Sequence, residues 1–224
     1  MNIQIFERYL YVAHYGSLRC ALSENGTNEM NVIITQLSIS LLRYSDLVAA
    51  DKVFYEAGIA CQKEGGSRIG LAFVLLNHCL DLNDAIEEQD ASIVDSSIFS
   101  NTDIPQEVPL PETPFLSKEE HEEMKEWVLA ISVEQNMERR LPLDSNGSFE
   151  GSLLKSNGIT YKPCIITGYA VCGDAKEFGS SGRVANRDEW NKFIMAQKTK
   201  PTENMSDVQK FIAKWTKTPI SLSL

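Results

Sequence analysis

The side chains with most chemistry to offer are five cysteines and three histidines, and their spacing gives them little to do together. Cys164 and Cys172 stand in the C-terminal third, and no histidine follows His121. Four-coordinate structural zinc needs four ligands, commonly as two close pairs, so this pair makes no metal site. A nucleophilic cysteine needs a base beside it, and the usual base is missing, so no catalytic residue is assigned. His14, Cys61, His78 and Cys79 fall in apolar, helical surroundings, where packing is their expected work. The acids Glu119, Glu120, Glu122 and Glu123 follow Ser117-x-x-Glu120, a capping box, and so occupy the first turns of a helix. Negative charge is favourable there for the helix dipole, which is a structural use. No cofactor is expected.

The elements that must position these residues divide by charge. The chain has 224 residues and a formal net charge of −10, from 21 Lys+Arg against 31 Asp+Glu. Such a chain repels phosphate backbones, so nucleic acid is excluded as a partner. No apolar run approaches a membrane span and no signal-peptide layout opens the chain, so direct membrane insertion is not expected. An odd cysteine count spread over a long chain implies reduced thiols and a cytosolic-type compartment. Residues 1–80 are nearly neutral at −1, residues 81–126 carry −12 and residues 127–224 carry +3. The acidic stretch includes Pro105, Pro109, Pro111 and Pro114, a spacing that favours extended backbone and reads as a connector. Ile104, Val108, Leu110 and Phe115 alternate with those prolines, more apolar character than a solvating linker needs, so the connector is expected to strap along neighbouring helices. The organisation read here is 1–94 helical repeats, 95–116 acidic Pro-rich connector and 117–224 a helix plus a small module with its core at about 160–216.

In residues 31–64 apolar positions recur at helical spacing with a break near Ser45–Asp46. Ile34-x-x-Leu37-Ser38-x-x-Leu41 followed by Ala50-x3-Phe54-x2-Ala57 is similar to the tetratricopeptide pattern. There, small residues lie where antiparallel helices cross and large ones where they wedge. The frame continues at Leu71-Ala72-x-x-Leu75 and, backwards, at Gly16 and Cys20. A single repeat cannot bury its own face, so the chain reads as part of a longer helical solenoid; a plain helical bundle is the alternative.

The second part opens with a helix over about 118–137, faced by Met124, Trp127, Val128 and Ile131. Asn146-Gly147 and Asn157-Gly158 are turn dipeptides. Apolar stretches on either side of Gly173-Asp174 predict a hairpin between about 169 and 178. Asn186-x-x-Glu189 caps a helix faced by Trp190, Phe193 and Ile194, and Ser206-x-x-Gln209 caps another with Val208, Phe211, Ile212 and Trp215. So small a module usually needs a metal or disulfides; two cysteines do not make a zinc site, and a Cys164–Cys172 disulfide, conceivable across a hairpin, is disfavoured by the reducing compartment. The expected fold class is therefore mainly α with a small α+β module.

Several strings carry a resemblance. Pro163-Cys164-Ile165-Ile166-Thr167-Gly168-Tyr169, Ala185-Asn186-Arg187-Asp188-Glu189-Trp190-Asn191-Lys192-Phe193, Asp103-Ile104-Pro105-Gln106-Glu107-Val108-Pro109-Leu110-Pro111 and Glu126-Trp127-Val128-Leu129 occur in that family's pattern. So does Leu80-Asp81-Leu82-Asn83-Asp84-Ala85-Ile86-Glu87-Glu88. Together they resemble the C-terminal end of the largest-subunit family of intraflagellar transport complex B, over most of the chain from about residue 80. The resemblance implies WD-repeat propellers, then a tetratricopeptide-like solenoid, then a short module that looks like a U-box, the metal-free relative of the RING domain. Ile166-Thr167-Gly168 sits where a U-box has its Ile-Ser-Gly loop, and absence of zinc ligands is what such a module shows. The Asp-Pro-Val that closes a U-box hairpin is missing, with Lys176-Glu177-Phe178 near that place.

What the resemblance implies for function is a non-enzymatic ciliary trafficking subunit at the cilium or flagellum and basal body, on the cytoplasmic side. Its repeats would bind partner transport subunits, and its module would bind ubiquitin or a ubiquitin-conjugating enzyme. Carried over by position, the partner-binding set is Ile165, Ile166, Thr167, Gly168 and Pro201, with Cys164, Cys172, Trp190, Phe193 and Trp215 structural. An active U-box-type ubiquitin ligase and a degenerate U-box with only a structural role are the alternatives. The loop isoleucines discriminate: exposed, they favour docking, and buried, they favour packing.

Overall fold

A computed structural model describes residues 3–23, 28–143, 149, 154–156, 159–179, 181–199, 201 and 203–217. The described residues are mostly helical, with two two-stranded antiparallel sheets. The chain forms two compact units, one made of 1–41 and 151–224, the other of 42–150. The sequence divisions at 94/95 and 116/117 mark changes of composition, and the units that pack are arranged differently.

In the central unit α3 (Ala50–Glu64) and α4 (Ile69–Glu88) form the helical hairpin. They cross closely because Gly58 has no side chain: a Cβ there would lie 2.4 Å from Leu76 Cδ2. The break expected near 45–46 is present, as a 3-10 turn at Leu42–Tyr44 and the loop that follows it. The segment Gly66–Glu88 reaches the length and mean hydropathy of a membrane span, which corrects the expectation that no stretch comes near it. With 67 % of its most apolar window buried, it is the core helix of this unit.

The connector is strapped down in this unit. Phe99, Ile104 and Leu116 are buried. Asp103 pairs with Arg43 at 3.5 Å, and Asp51, buried on α3, accepts the Phe115 backbone N–H at 2.7 Å. The Phe115 ring stays half exposed under the Lys52 ammonium, 5.1 Å from its centroid. Val108 and Leu110 are only partly covered. Helix α5 (Lys118–Gln135) starts with the expected capping box of Ser117 and Glu120 and ends at left-handed Asn136. Just beyond it, Arg139 donates to the Asp81 carboxylate and to His78 Nδ1, and His78 is held between the rings of Phe54 and Phe99.

The other unit joins the two ends of the chain. Helix α1 (Ile3–Ser23) buries His14, Tyr15, Leu18, Ala21 and Leu22, one face at helical spacing. Helix α2 (Asn28–Leu41) packs against it. The C-terminal module contributes β1 (Lys155–Ser156) paired with β2 (Ile159–Thr160), β3 (Ala175–Phe178) paired with β4 (Arg183–Asn186), then α6 (Arg187–Thr199) and α7 (Glu203–Thr216). Within the unit α1 packs on α7 and α2 on α6. The Asn146-Gly147 and Asn157-Gly158 turn assignments fall outside the described residues.

The hairpin is displaced from its expected place. It runs from Ala175 to Asn186, with Phe178 paired to Arg183, and Gly182 just before β4 takes φ +66°. Gly173-Asp174 is a bend instead. The apolar run Tyr169–Cys172 resembled a strand, but Tyr169 turns into the core, and the Asp174 carbonyl and carboxylate both accept from Arg187. That ties the bend to the start of α6.

Candidate functional site

The loop from Cys164 to Tyr169 is closed on itself before anything packs on it. Cys164 N–H donates to the Tyr169 carbonyl at 2.7 Å, and Gly168 N–H to the Cys164 carbonyl at 2.8 Å. Ile165 N–H donates to the Val184 carbonyl at 3.0 Å, fastening the loop to β4. Gly168 makes the turn with φ +77°, a backbone conformation that L side chains resist.

Beneath the loop lies a hydrogen-bonded hub around a thiol. Cys164 Sγ accepts from the backbone N–H groups of Ile166 and Asn186 and donates to Glu189 at 3.3 Å. Thr167 Oγ1 donates to the same Glu189 oxygen at 3.2 Å. Burial, and then the Glu189 charge, push the Cys164 thiol up to about 11. It is protonated at neutral pH and acts as a donor, not as a nucleophile. Three segments of the module thus meet at Cys164 through hydrogen bonds, in a place where no cluster of His, Cys, Asp or Glu suited to a metal occurs among the described residues.

The outer side of the loop is covered by the N-terminal helices. The protonated His14 Nε2 donates to the Ile165 carbonyl, Tyr15 O–H donates to the Cys164 carbonyl at 3.1 Å, and Ser40 O–H donates to the Thr167 carbonyl at 2.7 Å. At Gly168 the approach is closest: a Cβ would lie 2.6 Å from Ser40 Cβ and 3.3 Å from the Tyr15 ring. Ile165 is 1 % exposed, and Ile166 and Thr167 are fully buried. Of the two cases that discriminate docking from packing, the loop isoleucines are the buried one. Sequence reasoning read the loop's own residues, and its cover comes from α1 and α2.

Aromatic contacts brace the same assembly. Arg183 on β4 lies over the Trp215 ring at 4.0 Å and donates to the Tyr11 hydroxyl at 3.1 Å. His14 meets Trp215 edge-on at 4.3 Å and stacks on Phe211. Burial holds the His14 imidazole down at about 3 despite its bond to Ile165, so the ring is neutral. Of the remaining sequence-derived residues, Trp190 and Phe193 are buried and Trp215 is half-buried. Cys172, expected to be structural, is exposed with a free thiol, because the bend at 173–174 turns it outward. Pro201 is exposed in the connection between α6 and α7. The residues that sequence reasoning missed are Ser40 and Tyr15, which clasp the loop, and Glu189 and Arg183. A buried histidine on the apolar face of α1 was the one visible signal of a partner there.

No family model matches the chain. Known proteins do. It is 46 % identical over its whole length to "Intraflagellar transport protein osm-1" of Caenorhabditis elegans. Over 94 % of its length it is 45 % identical to "Intraflagellar transport protein 172 homolog" of Danio rerio, and over 92 % it is 34 % identical to "Intraflagellar transport protein 172" of Chlamydomonas reinhardtii. The chain belongs to the intraflagellar transport protein 172 family. It spans 12–13 % of the length of these relatives and matches a C-terminal region of the large subunit.

Proposed function

We propose that this chain is a non-enzymatic part of an intraflagellar transport subunit. In this reading its helical hairpins, tetratricopeptide-like in pattern, contact other transport subunits, and its C-terminal module is U-box-like and held closed on the first hairpin. Membership of the family puts its setting at the cilium or flagellum and basal body. The observation that carries the reading is the burial of Ile165, Ile166 and Thr167 under α1 and α2, clasped by three side-chain hydrogen bonds to the loop carbonyls of Cys164, Ile165 and Thr167. The thiol hub at Cys164 supports the U-box likeness, since it joins loop, strand and helix by hydrogen bonds where a RING domain would use zinc. A partner docking as U-boxes dock needs an accessible apolar anchor, and here the anchor is spent on packing. Ubiquitin or a conjugating enzyme would then engage only after α1 and α2 release the loop.

The test is a titration of the intact chain with ubiquitin, and separately with a ubiquitin-charged conjugating enzyme. Neither should perturb Ile165 or Ile166 amide resonances in the parent chain. Ser40→Trp, which wedges the loop from the α2 side without altering the module's own sequence, should allow binding. Tight engagement of Ile166 by the parent chain, lost in Ile166→Ala with no change in Tm, would overturn the closed reading and favour the ligase alternative.

A further inference from the structure

Helix α5 has two faces. Met124 and Val128 are buried on one, and Glu119, Glu122, Glu126, Leu129 and Val133 stand exposed on the other. The exposed five are spaced 3, 4, 3 and 4 residues apart, the interval at which a helix presents one straight seam to a second helix. Leu129 is 58 % exposed and Val133 82 %, so the apolar end of the seam is bare.

The acidic end is not explained by the helix alone. The favourable field of a helix N-terminus falls off within the first turn, which holds Glu119 and Glu120. Glu120 is engaged in the cap, and Glu122, Glu123 and Glu126 lie further along. Glu119 and Glu123 are four residues apart, as are Glu122 and Glu126, a spacing at which like charges destabilise a helix. None of Glu119, Glu122, Glu123 and Glu126 has an ion-pair partner among the described residues. One seam thus carries an open acidic half followed by an open apolar half.

We propose that this seam docks a helix of a partner protein, antiparallel to α5, apolar along its first half and rich in Lys or Arg along its second. Antiparallel docking sets the partner's second half against Glu119, Glu122 and Glu126 and its first half against Leu129 and Val133. Cations in the last turns of a helix are favoured by its own dipole, as acids in the first turns are favoured by that of α5. A parallel partner would carry its cations in its first turns, where the dipole opposes them. Complementary charge of this kind selects the partner and speeds its encounter. A second copy of the chain does not fit: antiparallel, its glutamates would face Leu129 and Val133, and parallel, they would face glutamates. The proposal rests on the reading of the chain as a transport subunit only for where the partner is found. Because the seam lies outside the hairpins and the clasped loop, its failure leaves that reading standing.

The probe is a synthetic helical peptide as long as α5, with Leu at the seam positions of its first half and Lys at those of its second. Fluorescence anisotropy follows its binding to the intact chain. A second peptide has the two halves exchanged, and a third has Glu in place of each Lys. The first should bind about tenfold more tightly than either. In Glu122→Lys with Glu126→Lys the preference should reverse, the Glu peptide binding about tenfold more tightly than the Lys peptide, a gain that loss of fold cannot produce. Leu129→Gln with Val133→Gln, both at exposed positions, should weaken the first peptide about tenfold with Tm unchanged; if Tm falls, the charge reversal alone decides. The proposal is overturned if the exchanged peptide binds as well as the first, which marks general adhesion to an acidic surface. It is also overturned if the charge reversal does not invert the preference, or if the glutamine pair changes nothing at unchanged Tm. A dimer of the chain in sedimentation that Glu122→Lys with Glu126→Lys abolishes would give the seam to a second copy and overturn it as well.

Discussion

Ile166 is the residue on which packing and docking make opposite demands. As an exposed anchor its truncation would lower affinity and spare stability. Buried as it is, Ile166→Ala removes a branched side chain from a filled space and is expected to destabilise the chain by about 2–4 kcal/mol. Chemical denaturation measures this, and a loss below about 0.5 kcal/mol, the range of ordinary surface changes, would return the side chain to the surface. A second expectation concerns the two buried histidines. His14 and His78 are each held down at about 3, by burial first; at His78 the neighbouring Arg139 adds to it. The unfolded chain takes up these protons near pH 6.5, and the folded chain does not. The stability is therefore whole above pH 6.5 and is lost as the pH falls from there towards 3, by about 1.4 kcal/mol per pH unit for each histidine. Urea midpoints at pH 7 and pH 5 check the sign, and His78→Phe should flatten the dependence. That Cys164 is buried follows from its sequence, a thiol amid apolar neighbours with no base or ligand nearby. The cover over Ile165 did not follow, because its closest partner stands 151 residues away, and nothing in the loop's own spacing names it.

Among the elements, those with a local cause were legible and those fixed by distant contacts were not. Helix α5 begins where Ser117 and Glu120 satisfy each other's backbone groups, a four-residue signal, and α6 follows Asn186 as its spacing implies. The hairpin was misplaced because Tyr169–Cys172 has strand composition, whereas in the structure Tyr169 is buried and Cys172 is exposed, and the strands that do pair are Ala175–Phe178 and Arg183–Asn186. The connector shows the same competition. Its charge and prolines argue for extension, and that holds, but Phe99, Ile104 and Leu116 are buried and the Asp51 carboxylate fixes the backbone at Phe115. Asp51→Ala would leave the Phe115 and Lys52 N–H groups without their acceptor. Cleavage within 100–116 by a broad-specificity protease should then be several-fold faster than in the parent chain, as expected for about 1–2 kcal/mol lost from a strap that opens before it is cut. An unchanged rate would mean that Asp51 does not hold the strap.

At the scale of the whole molecule, one unit draws residues 1–41 and 151–224 together while the other folds from the continuous stretch 42–150. The central unit relies on near neighbours, with α3 and α4 joined by a short turn. The terminal unit relies on contacts across most of the chain: His14 with Ile165, Ser40 with Thr167, Tyr11 with Arg183. Long-range pairing must offset a large loop-closure entropy before it stabilises anything. The module has little of its own to meet that cost, since it is small and its described residues show neither a metal cluster nor a disulfide. Its Ile165, Ile166 and Tyr169 are buried within a unit that includes α1 and α2. Residues 151–224 produced alone are therefore expected to be poorly folded, with weak amide protection at 164–169, and a separate 1–41 peptide should restore that protection by supplying His14, Tyr15 and Ser40. Hydrogen exchange reads both states. Full protection of 164–169 in the isolated module would show that loop and thiol hub stand by themselves, and the clasp would then be a lid over a finished domain and not part of its core.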